Sequence, residues 1–482
     1  MIAGTMLALL VGWQLGTGSL FGPLVLCGGL AYILIVTMLR CHWEALFMGL
    51  LVLGYLVGNR GFAQLMPPGL PMLPAEAGVL VVSLALILRI PLERDFSFRL
   101  TPLTVFIAVW MATSSAHMIF DLSSSGFLAI RDFAMVYYAV FFFGGMTLAK
   151  REQSIRIIEW ALGIGFALMA VGYLLYLVAP EMFHQIRYRS SPVIYYKGDL
   201  VGIFAAAGIF FYYGVSTRCS GKLEKIGLTL LMGLSAGVLF LTLARSAMVG
   251  AAIGLCIMVI AGHWRILPRL LLVGVLGSAL VIAVDISHER RLAESQLYAV
   301  FEHGVSLVDF AGSYDYQNPE SKDTGDNNRF RLVWWRSLTE HVLENGPVQG
   351  LGFGYDLANP FIQEYYPQGN ETFRTRSPHN FLLSVFGRTG MIGIFCWVLI
   401  LGAMTNQAWR LVRKQKAREP LQPALIFLIM AWTIFFGALF QVVLEGPMGA
   451  VLFWLLLGLS QMTLPKASEE TTDEKALAAE NA

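Results

Sequence analysis

The sequence is short of charge. Of its 482 residues only 14% are Asp, Glu, Lys or Arg, while 56% are hydrophobic. Soluble domains carry roughly 25% charged residues, so an ordinary water-soluble globule is excluded. Cysteine is scarce as well. Cys27, Cys41, Cys219, Cys256 and Cys396 lie in or beside apolar stretches and never in the long polar segment. A disulfide framework is therefore not expected, and none of the five has metal-site spacing. There is no Walker sequence and no internal repeat, and no strand precedes Gly352-Phe353-Gly354 to make it a nucleotide turn. Asp315, Glu320, Asp323 and Asp326 lack the spacing of a calcium loop and read as a solvated stretch. No metal, no other cofactor and no nucleic-acid partner is expected. The first residues show no small-residue cleavage site after a short apolar run, so they read as a retained helix.

What the chain has in abundance is apolar runs of membrane-spanning length. They predict an all-α polytopic membrane protein with about 12–14 transmembrane helices and one long, partly helical extracytoplasmic loop. Spans are expected near 3–18, 20–39, 43–58, 74–90, 102–118, 128–149, 155–178, 199–216, 226–243, 246–262, 267–285, 380–404, 421–440 and 447–463. The chain then divides into N-terminal spans (1–285), the extracytoplasmic loop (286–379), C-terminal spans (380–464) and a disordered cytoplasmic tail (465–482). Alternating helices put one set of basic loops on a single side. They hold Arg89, Arg94 and Arg99; Lys150, Arg151 and Arg156; Arg218, Lys222 and Lys225; Arg265 and Arg269; and Arg410 to Arg418. That side is the cytoplasm by the positive-inside rule, and both termini join it.

The outer segment is too long for an ordinary connection and reads as functional. Within it, 291–310 has a loose helical stripe (Leu292, Leu297, Val300, Phe301, Val308). Residues 330–343 have a clearer one (Phe330, Val333, Trp334, Leu338, Val342). Asn345-Gly346-Pro347 should end that helix, and Gly350 to Gly354 should form a tight turn. The segment meets the next span at Ser377-Pro378-His379-Asn380. Ser377 is expected to cap that helix with Pro378 at its first position, leaving His379 and Asn380 in the first turn. There the helix dipole favours neutral imidazole, which is a competent general base.

Charges at span ends suggest the remaining candidates. Arg245, between two apolar segments at the outer face, could snorkel to headgroups or clamp a phosphate with its fork of donors. Arg331 begins the amphipathic helix beside Trp335, and Arg376 precedes the Ser-Pro-His-Asn junction. Arg187, Arg189 and Lys197 form a second outer basic cluster, with Asp199 just inside the next helix and pairable with Lys197. Arg131 and Asp132 read as an internal ion pair; Asp121 and Glu445 are weaker candidates at the same face. A neutral His among arginines against lipid suits an anionic lipid-linked substrate, such as a sugar diphosphate on a polyprenyl chain.

Several of these pieces occur in one order: Ala244-Arg245-Ser246 after an apolar helix, Arg331 through Trp335, Gly346-Pro347, Gly350 to Gly354, and Ser377-Pro378-His379-Asn380 leading to Gly390 and Gly393. Over residues 200–404 the chain thereby resembles the O-antigen ligase and O-antigen polymerase superfamily of bacterial polytopic membrane glycosyltransferases. Ala-Arg-Ser stands where that family often has Ser-Arg-Gly. The resemblance implies an undecaprenyl-diphosphate-linked glycan donor and metal-independent inverting transfer at the outer face of the inner membrane. It implies His379 as base, with Arg245 and Arg331 on the diphosphate; Arg187, Arg189, Asn380, Arg376 and Trp335 are the substrate-binding candidates. Polymerisation of glycan repeat units for an O-antigen or exopolysaccharide is the favoured expectation, because Arg187 and Arg189 could hold a second lipid-linked diphosphate. A ligase would instead transfer the glycan to lipid A core or protein; a transporter or flippase is the alternative of another class. Membrane lipids and, for a polymerase, a chain-length regulator complete the expected partners.

Overall fold

The computed structural model describes residues 42–66, 72–92, 100–287, 294–306, 308–309, 313–319, 321, 324–365 and 376–462. The expected spans at 3–18 and 20–39 and the tail at 465–482 lie outside the described residues. From residue 43 onward each expected span coincides with helix. In chain order these are α1 (Trp43–Ala63), α2 (Pro74–Leu92), α3 (Pro102–Ser125), the broken series α4 (Phe127–Asp132), α5 (Ala134–Tyr137) and α6 (Val140–Leu148), then α7 (Glu152–Val178). A short α8 (Pro180–Gln185) and a hairpin follow, with β1 (Arg187–Tyr188) antiparallel to β2 (Ser191–Pro192). Next come α9 (Gly198–Arg218), α10 (Lys222–Leu241), α11 (Arg245–Ile260) and α12 (Ile266–Ser287). The polar segment contributes α13 (Gln296–Val305), α14 (Thr324–Asn345) and α15 (Asn359–Tyr365), and the chain closes with α16 (Phe381–Lys414), α17 (Pro423–Ala438) and α18 (Pro447–Leu459).

Seven of these are long and apolar enough to cross a membrane: α1, α3, the α4–α6 series, α7, α9, α10 and α16. Large apolar side chains such as Trp160, Ile119 and Phe395 point outward at 72%, 64% and 64% exposure. Such a surface suits lipid, not water. The chain is an all-α polytopic membrane protein. Arg89 is no loop residue: it sits within α2 and pairs with Glu44 of α1 at 2.7 Å, both side chains buried.

Three features position the site. First, α17 and α18 have 16 and 13 residues, roughly 20–24 Å of helix against a hydrocarbon core of about 30 Å. Their connection, 439–446, is therefore sunk into the bundle, with Val443 and Leu444 at 1% and 0% exposure. Second, α16 is broken at Gly390 (φ 60°). The break frees backbone groups that the 347–352 turn takes up. Leu351 and Gly352 N–H donate to Gly387 and Arg388 carbonyls, and Met391 and Ile392 N–H donate to Pro347 and Val348 carbonyls. Third, the turn itself needs glycine, since Gly350, Gly352 and Gly354 all have positive φ (78°, 89°, 93°). A Cβ on Gly352 would stand 2.7 Å from an Asp121 carboxylate oxygen.

The expected helical stripe at 330–343 is observed. Trp334, Leu338 and Val342 bury against Leu357, Phe361 and Phe386, making a small core that seats α14 on α16. Of the stripe expected at 291–310, Leu292 lies outside the described residues, and the described part behaves differently. Leu297, Phe301 and Val308 are 38%, 57% and 76% exposed, while Ala299, Glu302, His303 and Ser306 are buried. Glu302 is turned inward because it accepts hydrogen bonds from Gln317 and Asn318 N–H, leaving the apolar side of α13 outward.

Candidate functional site

His379 does not begin the helix. Asn380 is the N-cap, its side chain accepting from Leu383 N–H at 3.1 Å, and the first helical residue is Phe381. Ser, Asn and Asp cap about equally well, and here Ser377 is spent elsewhere, donating to Glu445 Oε1 at 3.0 Å. His379 is left just outside the helix with φ 55°, a left-handed conformation rarely adopted by residues other than Gly, Asn and Asp. Trp335 secures this stretch by donating Nε1–H to the Pro378 carbonyl at 2.7 Å, and the Trp334 ring stands edge-on to the imidazole at 6.3 Å.

Burial lowers the His379 pKa, with Arg331 as the second cause and Lys197 adding to it; Asp199 and Gln441 oppose. The direction agrees with the sequence reading, but the leading causes are burial and Arg331, where the sequence reading relied on the helix dipole. Nδ1 lies 3.4 Å from Gln441 Oε1 on the sunken 439–446 connection. A carbonyl oxygen can only accept, so Nδ1 carries the proton of the neutral ring and Nε2 keeps its lone pair.

Arg331 and Asp199 act on this imidazole, and Arg245 in turn lies near those two. Arg245 opens α11 and feels both Arg331 and Asp199. It donates through Nη1 to Asn328 Oδ1 at 2.6 Å and to Ser306 Oγ at 3.3 Å, so the polar segment orients it. Arg331 projects from α14; burial lowers its pKa and Asp199 opposes. Its guanidinium has no hydrogen-bond partner among the described residues. Asp199 pairs loosely with Lys197 at 3.9 Å, as expected. Their position depends on a break in α1 at Asn59 (φ 50°, ψ −127°), whose Oδ1 accepts from Lys197 N–H at 3.1 Å. Two guanidinium groups facing one carboxylate leave net positive charge beside a neutral imidazole, an arrangement suited to a polyanion with an ionisable hydroxyl nearby.

The other candidates are placed apart from that cluster. Arg187 and Arg189 are exposed on the β1–β2 hairpin, Arg187 donating to the His184 carbonyl at 2.7 Å. No contact among the described residues links either to His379, Arg245 or Arg331. Arg376 turns to Asp132 Oδ2 (3.3 Å) and the Gly354 carbonyl (2.8 Å). Asn380 is the cap, and Asp121 secures the glycine turn, accepting from Phe353 N–H at 2.7 Å.

Sequence reasoning missed Arg388. Inside α16 it pairs with Asp132 at 2.9 Å, both side chains 7% exposed. Arg131 also reaches Asp132, at 3.2 Å, but from the solvent side. The signal was available: a lone arginine inside an apolar span marks an internal pairing. Gln441 was missed as well, and a neutral residue in a short connection offers no such signal.

The match to known proteins falls on the same stretch. A family model described as O-Antigen ligase matches residues 230–398, taking in Arg245, Arg331, Arg376, His379, Asn380 and Arg388. No curated protein matches the chain. Members of the matched family are membrane glycosyltransferase-like enzymes acting on lipid-linked glycans. Residues 230–398 thus match an O-antigen ligase domain, and that match supports an O-antigen ligase/polymerase-like glycan-handling function.

Proposed function

We propose that the protein is an inverting polysaccharide polymerase of the inner membrane. It would join undecaprenyl-diphosphate-linked repeat units of an O-antigen or exopolysaccharide at a site facing the periplasm. The observation that carries this reading is that Arg331 acts on both His379 and Arg245, three residues far apart in sequence, with Asp199 acting on all of them. In the reaction His379 Nε2 takes the proton of the acceptor hydroxyl as its oxygen attacks the anomeric carbon. The bond from that carbon to the donor diphosphate breaks on the opposite face, and the configuration inverts. Arg245 and Arg331 hold the lipid diphosphate and stabilise the charge that grows on it. The energy is already present in the donor, so no nucleotide or metal ion is invoked.

A transporter would also use a broken helix and a buried charge, and α16 has both in Gly390 and Arg388. Against that reading, the backbone groups freed at Gly390 are taken by the 347–352 turn and Arg388 by Asp132, leaving neither for a solute. A ligase would use the same chemistry with lipid A core or protein as acceptor.

The deciding experiment is product formation from purified lipid-linked donor in liposomes, with donor binding followed separately. His379→Gln should lower the rate about 10²- to 10⁴-fold while donor binding survives. A wild-type rate would reduce His379 to a positioning group, and loss of donor binding with the rate would move it into the diphosphate pocket.

A further inference from the structure

Two residues from His379, Ser377 lines a polar cavity that the proton and diphosphate chemistry leaves unused. The cavity measures about 380 Å³ and is lined by Arg131, Asp132, Arg376, Ser377, Ser384 and Glu445, among others. That is within the range of small-molecule sites, roughly 300–1,000 Å³. Two stretches of chain supply both this cavity and the His379 site. Ser377 precedes His379 by two residues, at most about 7.6 Å between Cα atoms. The sunken connection supplies Gln441 to the imidazole and Glu445 to the cavity.

The cavity's polar groups are only partly used. Glu445 Oε1 accepts from Ser377 and Ser384 hydroxyls at 3.0 and 2.9 Å, but Oε2 is buried without a hydrogen-bond partner. Arg376 spends Nη2 on Asp132 and the Gly354 carbonyl, while its buried Nε faces the Asp356 carboxylate at 3.9 Å, beyond hydrogen-bond distance. One wall therefore lacks a donor and another lacks an acceptor. Buried groups of this kind are costly unless something completes them. An anion would satisfy Arg376 and meet repulsion from Glu445; a cation would do the reverse. A hydroxyl is both donor and acceptor, so a polyol answers both vacancies at once.

We propose that this cavity is the subsite for the acceptor saccharide, with sugar hydroxyls donating to Glu445 Oε2 and accepting from Arg376 Nε. It rests on the glycosyl-transfer reading above, to which it adds where the acceptor sits. An acceptor seated there would present its end to His379.

The test measures binding without turnover. Full-length protein carrying His379→Gln, in lipid nanodiscs, is titrated with the delipidated repeat-unit oligosaccharide released by mild acid from the host's own surface polysaccharide. Two further variants are compared. Glu445→Leu removes the free oxygen and leaves Ser377 and Ser384, already 3.5 Å apart, to pair with each other. Val442→Trp narrows the cavity and replaces none of its charged residues. Each should weaken oligosaccharide binding about tenfold or more, the scale of one lost hydrogen bond to a charged group, with affinity for lipid-linked donor unchanged. Unchanged oligosaccharide affinity in both variants would overturn the proposal, as would a loss of donor affinity in its place. Oligosaccharide binding that Glu445→Leu abolishes, in a protein that transfers no sugar, would overturn the polymerase reading alone. Transfer by the wild type with an acceptor KM that neither variant moves would overturn the acceptor subsite alone.

Discussion

Asp132→Asn should be among the most damaging isosteric changes in the protein. The carboxylate sits 2.9 Å from Arg388 Nη1, 3.3 Å from Arg376 Nη2 and 3.2 Å from Arg131 Nη2. At 2.9 Å and an effective dielectric of about 20, the first contact alone has a gross attraction of about 5–6 kcal/mol. Desolvation consumes most of that while the pair is intact. Removing one partner exposes the cost, because Arg388 stays buried at 7% exposure with its counter-ion gone. Breaking a buried pair in this way costs about 3–5 kcal/mol. Arg388→Met should fall at the lower end of the range, since Asp132 would keep Arg376 and Arg131. The double variant should lose less than the two single losses together, with coupling of about 0.5–3 kcal/mol. Arg336→Ala is the internal control. Its partner Glu340 is 2.8 Å away, but the two side chains are 79% and 55% exposed, so solvent screening should leave stability unchanged within the error of the measurement. Unfolding of the detergent-solubilised protein, followed by tryptophan fluorescence, measures all four variants. An Asp132→Asn loss under about 1 kcal/mol would refute the reasoning and show that water reaches this pair.

Arg245→Lys keeps the charge but loses the paired donors of the guanidinium, so it should impair turnover at matched expression; near-normal polymer from Arg245→Ala would remove Arg245 from the diphosphate site. The pH profile follows from the lowered His379 pKa: kcat/KM should hold as pH falls to 6.5 and drop only below it, as the imidazole takes a proton. Arg331→Gln removes the positive charge that is the second cause of that lowering, so the acidic limb should move to higher pH in whatever activity remains; an unmoved limb would separate Arg331 from His379 electrostatically. Reporter fusions after Ala403 and within 312–328 test orientation, with a cytoplasmic signal expected from the first and a periplasmic one from the second; the reverse at 312–328 would place the site on the wrong side of the membrane.

Much of the candidate site can be proposed from the sequence because it lies at a boundary that composition marks clearly. The apolar runs determined the spans, and the one long polar segment determined where chemistry had room. Arg245, Arg331 and His379 stood out as polar groups at span ends. Periodicity located α14 and its buried Trp334, Leu338 and Val342. The glycine spacing at 350, 352 and 354 announced a tight turn, which is the conformation found.

Only the tertiary structure decided which polar groups meet. Ser377 and Asn380 are equally able caps in sequence; Glu445, 68 residues from Ser377, engages the Ser377 hydroxyl and leaves Asn380 as the cap. Asp132 and its sequence neighbour Arg131 look like a pair, yet Arg388 provides the closer, buried partner. The α16 break at Gly390 is a site where the 347–352 turn docks, because each supplies backbone partners that the other lacks. Local sequence determines propensity, since helix formation and membrane burial depend on neighbouring residues. Partner choice depends on which buried groups the fold brings within hydrogen-bonding distance, and no local pattern records that.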